Sequence, residues 1–119
     1  MSFAGSTDQL LLNLMSASTQ RFRVLSANLT NQNTPGYKRS TVNFEDLLAR
    51  EMGEQKPDLL SIQPQQVLDT VTPSGADGNN VNPELEINGM AQNKIQYELY
   101  STLLGGRMEM LRVAIQGGR

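Results

Sequence analysis

Leu11, Met15, Ser18, Phe22, Leu25 and Leu29 form a line along the first third of the chain, and Ser18 is its one polar member. Alternating steps of four and three hold these positions on one side of an α-helix, as a helix needs in order to lie along another helix. The same spacing returns near the other end. Ile87, Met90, Lys94, Tyr97, Ser101, Leu104, Met108, Leu111 and Ile115 advance by threes and fours, with only Lys94 and Ser101 polar. The pattern predicts a mainly α fold in one unit. Long amphipathic N- and C-terminal helices, over residues 7–33 and 82–116, pack as a coiled-coil-like pair around an extended or partly disordered middle.

Local signals set the boundaries. Ser6, Thr7, Asp8 and Gln9 read as a capping box, which starts the first helix near residue 7. Pro35 disfavours a helical backbone at Thr34, and Pro35-Gly36 suits the centre of a type II turn, so the helix stops near Asn33. A helix of that length runs about 40 Å. Over 34–48 the chain passes through this turn into a short element. Val42, Phe44, Leu47 and Leu48 do not decide whether that element is strand or helical turn. From 49 to 81 Pro57, Pro64 and Pro73 punctuate a polar, Gln-rich stretch, with a brief hairpin expected at Asp77-Gly78. Asn82 can cap the second helix, with Pro83 at its first position and Glu84 and Glu86 in the first turn. Asn88-Gly89 is also a turn dipeptide, which leaves a start at 82 or at 90 open, and Gly105-Gly106 is a place for a bend.

Composition narrows the chemistry. The 119 residues suit one domain, and three Phe, three Tyr and no Trp leave a thin aliphatic core. Neither Cys nor His is present, so thiol and imidazole catalysis, disulfides and the usual transition-metal ligands are excluded. A formal net charge of -2 with scattered basic residues, of which Lys38 and Arg39 are the one adjacent pair, argues against nucleic acid. No run approaches the roughly 18–20 apolar residues of a membrane span, and no secretory signal peptide is expected.

Candidate catalytic or binding groups are weak. Glu45-Asp46, Glu51 with Glu54 and Glu84 with Glu86 are acidic pairs without a converging nucleophile or base, and read as solvated faces and helix-dipole partners. Asn28, Asn31 and Asn33 read as groups that satisfy the free ends of the first helix or bridge to a neighbouring helix. Asn28-Leu29-Thr30 matches a glycosylation acceptor, a match of little weight without a signal peptide. "DGNN" lacks the alternating ligands of a calcium loop. Two helices joined by one narrow stripe bury little against the cost of ordering the backbone, which favours completion by other chains.

Ala27-Asn28-Leu29-Thr30-Asn31-Gln32-Asn33-Thr34-Pro35-Gly36-Tyr37-Lys38, followed by Phe44 and Leu48, closely resembles the N-terminal signature of bacterial flagellar rod and hook proteins. Thr30 stands where members often have Ala. Gly78-Asn79-Asn80-Val81, Gln92-Asn93 with Tyr97, and Leu111 with Ala114-Ile115 before Gly117 resemble the tail of a short proximal rod member. Asn82-Pro83 and Gly105-Gly106 depart from that tail. The resemblance implies a non-enzymatic structural subunit of the proximal rod, without cofactor or metal, exported unfolded by the flagellar type III apparatus into the periplasmic space. Implied partners are other rod proteins such as FlgC, the base protein FliE and the export gate, with no direct membrane insertion. The apolar seam residues become subunit contacts. Asn28, Asn31, Thr34, Pro35, Gly36 and Tyr37 become the turn that sets the chain's exit angle. Two alternatives stay open: another short rod protein such as FlgC, and a cytoplasmic coiled-coil adaptor or export chaperone.

Overall fold

A computed structural model describes residues 3–117. The elements run α1 (Phe3–Thr30), β1 (Ser40–Asn43), α2 (Glu45–Met52), a 3-10 turn (Leu59–Ser61), β2 (Gln65–Leu68) and α3 (Pro83–Gly117). Long terminal helices pack together, with a short two-stranded segment between them. The expected capping box lies inside α1, which is already helical at Phe3, and the Gln9 side chain donates forward to Asn13 Oδ1 at 2.9 Å. At its other end α1 closes at Thr30, three residues before Asn33. The Asn31 amide is shared between the carbonyls of Ala27 and Asn28, both at 3.1 Å, a bifurcated bond that tightens the last turn.

Pro35 and Gly36 then reverse the chain. The Tyr37 amide donates to the Thr34 carbonyl at 3.2 Å, and Gly36 sits at φ +75°, the left-handed backbone a type II turn requires at its third residue. The tip is docked rather than loose, because the Gly36 amide donates to the Asp77 carbonyl at 2.8 Å. Gly78, at φ +81°, presses against it: a Cβ there would come within 3.4 Å of Gly36 Cα.

Residues 49–81, expected to be extended or partly disordered, contain the end of α2, a short 3-10 turn and β2, and otherwise run without helix or strand. β2 pairs antiparallel with β1, Ser40 facing Leu68 and Asn43 facing Gln65. Both readings of the ambiguous element hold in turn, since β1 gives way at Phe44 to α2. Phe44 is fully buried with Ala17 and Leu48, and Leu10, Leu14, Leu59 and Ile62 close around them. Those few apolar residues, isolated in a polar sequence, anchor the segment. Asp77-Gly78 forms a turn between Gly75 and Asn79 rather than a strand hairpin.

α3 starts where Asn82 caps it, its Oδ1 accepting the Glu84 amide at 3.0 Å. It continues for 35 residues without interruption at either glycine site. Gly89 is a close-approach point, because a Cβ there would meet the Leu25 methyls at 3.3 and 3.4 Å. The helices are antiparallel: Asn28 meets Glu86 near the start of α3, and Asp8 pairs with Arg107 far along it. The molecule measures 68 × 31 × 14 Å, and its radius of gyration of 18.3 Å exceeds the about 13–14 Å of a compact domain of this size. No helix among the described residues is long and apolar enough to cross a membrane.

Candidate assembly site

The two long helices are joined by a buried polar tie. Asn28, in the last turn of α1, points its amide at the start of β1. Its Nδ2 donates to the Ser40 carbonyl at 2.8 Å and its Oδ1 accepts the Ser40 amide at 2.9 Å, as a neighbouring strand would. The same Nδ2 lies 3.3 Å from Glu86 Oε1, and Tyr37 Oη donates to Asn28 Oδ1 at 3.2 Å. Asn28 is therefore fully buried, and the acceptor motif it begins is turned into the protein.

Arg39 is the hub. Its Nε donates to Glu86 Oε1 at 2.6 Å and its Nη2 to Oε2 at 3.3 Å, while Nη1 reaches Asp69 Oδ2 at 2.6 Å. Its backbone amide donates to Asn80 Oδ1 at 2.7 Å. One guanidinium, on the residue just before β1, thereby reaches both the residue after β2 and α3, in the forked geometry that suits arginine to carboxylates. The bonds to Glu86 outweigh burial and hold the guanidinium pKa above its usual value, with Asp69 adding to the rise. The Thr72 side chain and amide, then Arg39 and the Val71 amide, hold the Asp69 carboxyl well below the usual carboxylate range. Asn79 extends the tie, its Nδ2 donating to the carbonyls of Asn31 and Thr34 at 2.8 Å each. Lys38 donates to Ser74 Oγ and the Gly78 carbonyl.

A second clamp holds α1 to α2. Arg21 donates to both oxygens of Glu45, at 2.9 and 2.6 Å, and to the Val42 carbonyl at 2.9 Å. Burial pushes the Glu45 carboxyl up, but Arg21 and the local backbone bond overcome it and the net displacement is downward. Nearby, burial and then the charge of Glu45 raise the Tyr100 hydroxyl. The acidic residues thus act as structural partners. Glu86 is not the solvated helix-dipole group expected of it, being wholly buried. Among the described residues no cluster could hold a metal ion.

The face α3 turns inward differs from the apolar stripe read in the sequence. Glu86 is buried in place of Ile87, and Asn93 in place of Lys94; Tyr100 and Arg107 are covered more than Ser101 and Met108. These four polar residues recur every seven positions, and that heptad was the available signal for the tie. For Glu86, Asn93 and Arg107, hydrogen bonds to Asn28 and Arg39, to the Ser18 carbonyl and to Asp8 outweigh burial of the neighbouring apolar side chains. Of the proposed seam positions, Leu11 and Leu25 are buried within this chain, and Met15, Leu29, Met90 and Leu104 are half-buried. Phe22, Tyr97, Met108, Leu111 and Ile115 are exposed, Ile115 by 67%.

On the side of α3 turned away from α1, Ile95, Leu99, Leu103, Met110 and Val113 form a second apolar stripe, exposed throughout. Leu111 and Ile115 continue the inward side beyond Arg107, where nothing among the described residues covers them. A helix apolar on opposite sides is at home where it is surrounded. In the turn region Asn31 is half-buried and bonds the Ala27 carbonyl and Thr34 hydroxyl, whereas Thr34, Pro35 and Gly36 are exposed and Tyr37 is half-buried.

No family model matches the chain. It is 29% identical to the flagellar basal body rod protein FlgB of Bacillus subtilis (strain 168), over the whole of both chains. It is 28% identical to the protein of that name from Escherichia coli (strain K12), across 83% of this chain and 85% of the relative. Identity to the protein of that name from Borreliella burgdorferi is 26%, across 81% and 85%. The similarity thus extends beyond the Asn28–Tyr37 stretch to most of the sequence.

Proposed function

We propose, on the premise that the chain is a homologue of the flagellar basal body rod proteins FlgB, that it is a structural subunit of the proximal rod. The observation that carries this reading is the apolar surface of α3, exposed on its outer stripe and beyond Arg107 while the residues the helix buries, Glu86 and Asn93, are polar. A helix so arranged is completed by neighbouring chains. The chain acts as one unit, with coiled-coil-like contacts between its terminal helices and those of neighbours. Neighbours of this class are other rod proteins such as FlgC, the base protein FliE and the export gate.

The small core around Phe44 suits a subunit that passes unfolded through the flagellar type III apparatus and gains order in the periplasmic rod. The polar tie re-forms after passage, because its members lie far apart in sequence and meet only when both helices are present. Mass spectrometry of hook and basal-body particles, washed with detergent and salt, tests the proposal. Retention at a fixed ratio to other rod proteins is expected. Absence from intact particles, with the chain found in the cytoplasm, overturns it in favour of an adaptor or chaperone.

A further inference from the structure

Between α1 and α3 lies a cleft of about 420 Å³, walled by Phe22, Met90, Ala91 and Tyr97, with Ser18 and Asn93 also lining it. Its lining is almost wholly apolar, yet two of the residues that line it each carry a buried polar atom, Ser18 Oγ and Asn93 Oδ1, with no hydrogen-bonding partner among the described residues. Ser18 is 1% and Asn93 4% exposed. The Asn93 amide nitrogen is spent on the Ser18 carbonyl at 2.7 Å, which fixes the orientation of the side chain. A carbonyl oxygen in want of a donor beside a hydroxyl that can donate is complemented by a primary amide. Leaving such groups unsatisfied is costly enough to favour an occupant that supplies one.

The distal end of α3 has the required chemistry. Met108, Leu111 and Ile115 are exposed on the line that continues from Met90 and Tyr97 along the same helix. Gln116 follows one position after Ile115, its Oε1 accepting from Arg112 Nη1 and its Nε2 without a partner among the described residues. We propose that the cleft receives the distal end of α3 from a second copy of this chain, its apolar side chains against Phe22 and Tyr97 and its Gln116 amide bridging Ser18 and Asn93. The rings of Phe22 and Tyr97, themselves exposed, swing aside to admit it. Lys94 is the one charged residue lining the cleft, so apolar fit rather than ionic steering selects the occupant. Cleft and helix end are different surfaces of one molecule, so a copy bound head-to-tail leaves one cleft and one helix end free for further copies. This inference rests on the reading of the chain as a rod subunit and names one contact within it.

The natural absence of cysteine allows a direct test. Full-length Ala91→Cys and Gly117→Cys proteins are mixed under mild oxidation, with Gln66→Cys and Gly117→Cys as the control pair on the exposed β2 strand. Mixed disulfide is expected at about tenfold the control yield, the ratio a modest specific contact gives. Ser18→Ala should lower that yield about fivefold, one net hydrogen bond, while the urea midpoint of the monomer stays constant or rises. Equal yields in the two cysteine pairs, or a Ser18→Ala yield equal to the parent, would overturn the proposal. Particle retention without the cross-link rejects this contact alone. Cross-linking by a chain absent from particles rejects the rod role alone.

Discussion

The root of the molecule and its far end invert the usual distribution of polarity. At the root Asn28, Arg39, Asn80 and Glu86 are polar and buried; at the end Met110, Leu111, Val113 and Ile115 are apolar and exposed. Each is stable only through what surrounds it. The root finds its partners within the chain, since every carboxylate and amide there faces a donor or acceptor from another segment. At the far end, none of the described residues covers these side chains. The difference teaches that the tie fixes how the two helices sit, and thereby determines which apolar surface is left for assembly.

Breaking the root should have the largest effect. Arg39→Ala removes the cation between two carboxylates and leaves Glu86 charged and buried, a loss of about 3–5 kcal/mol in urea denaturation. A cost below about 1 kcal/mol would mean that the tie does not hold the helices. Asn28→Ala should cost somewhat less, about 2–4 kcal/mol, because it strands the buried amide and carbonyl of Ser40. Amide hydrogen exchange at Ser40 should rise with it, and continued protection there would contradict the arrangement.

Acid offers a graded way to loosen the same region. The Asp69 carboxyl titrates lower in the folded chain than in the unfolded one, so its stabilisation is complete above about pH 4 and disappears as pH falls through the folded value. Asp69→Asn should flatten this acid limb of a stability-against-pH curve; an unchanged limb would place the acid sensitivity elsewhere. The smallest effect on the isolated chain belongs to the far end. Leu111→Ser with Ile115→Ser should change monomer stability by no more than about 0.5 kcal/mol while removing the chain from basal-body particles. A large monomer loss would show that this end is covered from within.

Much of the chain's course was legible from local signals. Asn82-Pro83 starts α3 through capping and a preset φ, and Pro35-Gly36 reverses the chain through backbone restriction, both properties of adjacent residues. The upstream start of α1 was missed because a plausible capping box also fits comfortably inside a helix. The docking of the middle segment was not legible because Leu59 and Ile62 look isolated until Phe44 and Leu48 are folded beside them.

By itself, the sequence determined that two long helices exist, where the chain turns between them, and that no thiol or imidazole chemistry is present. Only the tertiary structure decided how α3 is rotated about its axis. Periodicity reports which residues share a face, but the side turned inward depends on specific bonds, and Arg39 meets Glu86 across 47 residues. A buried charge must find its counter-charge, whereas an exposed apolar side chain can wait for another molecule. That asymmetry in cost turned Glu86 and Asn93 inward and left Leu111 and Ile115 outside.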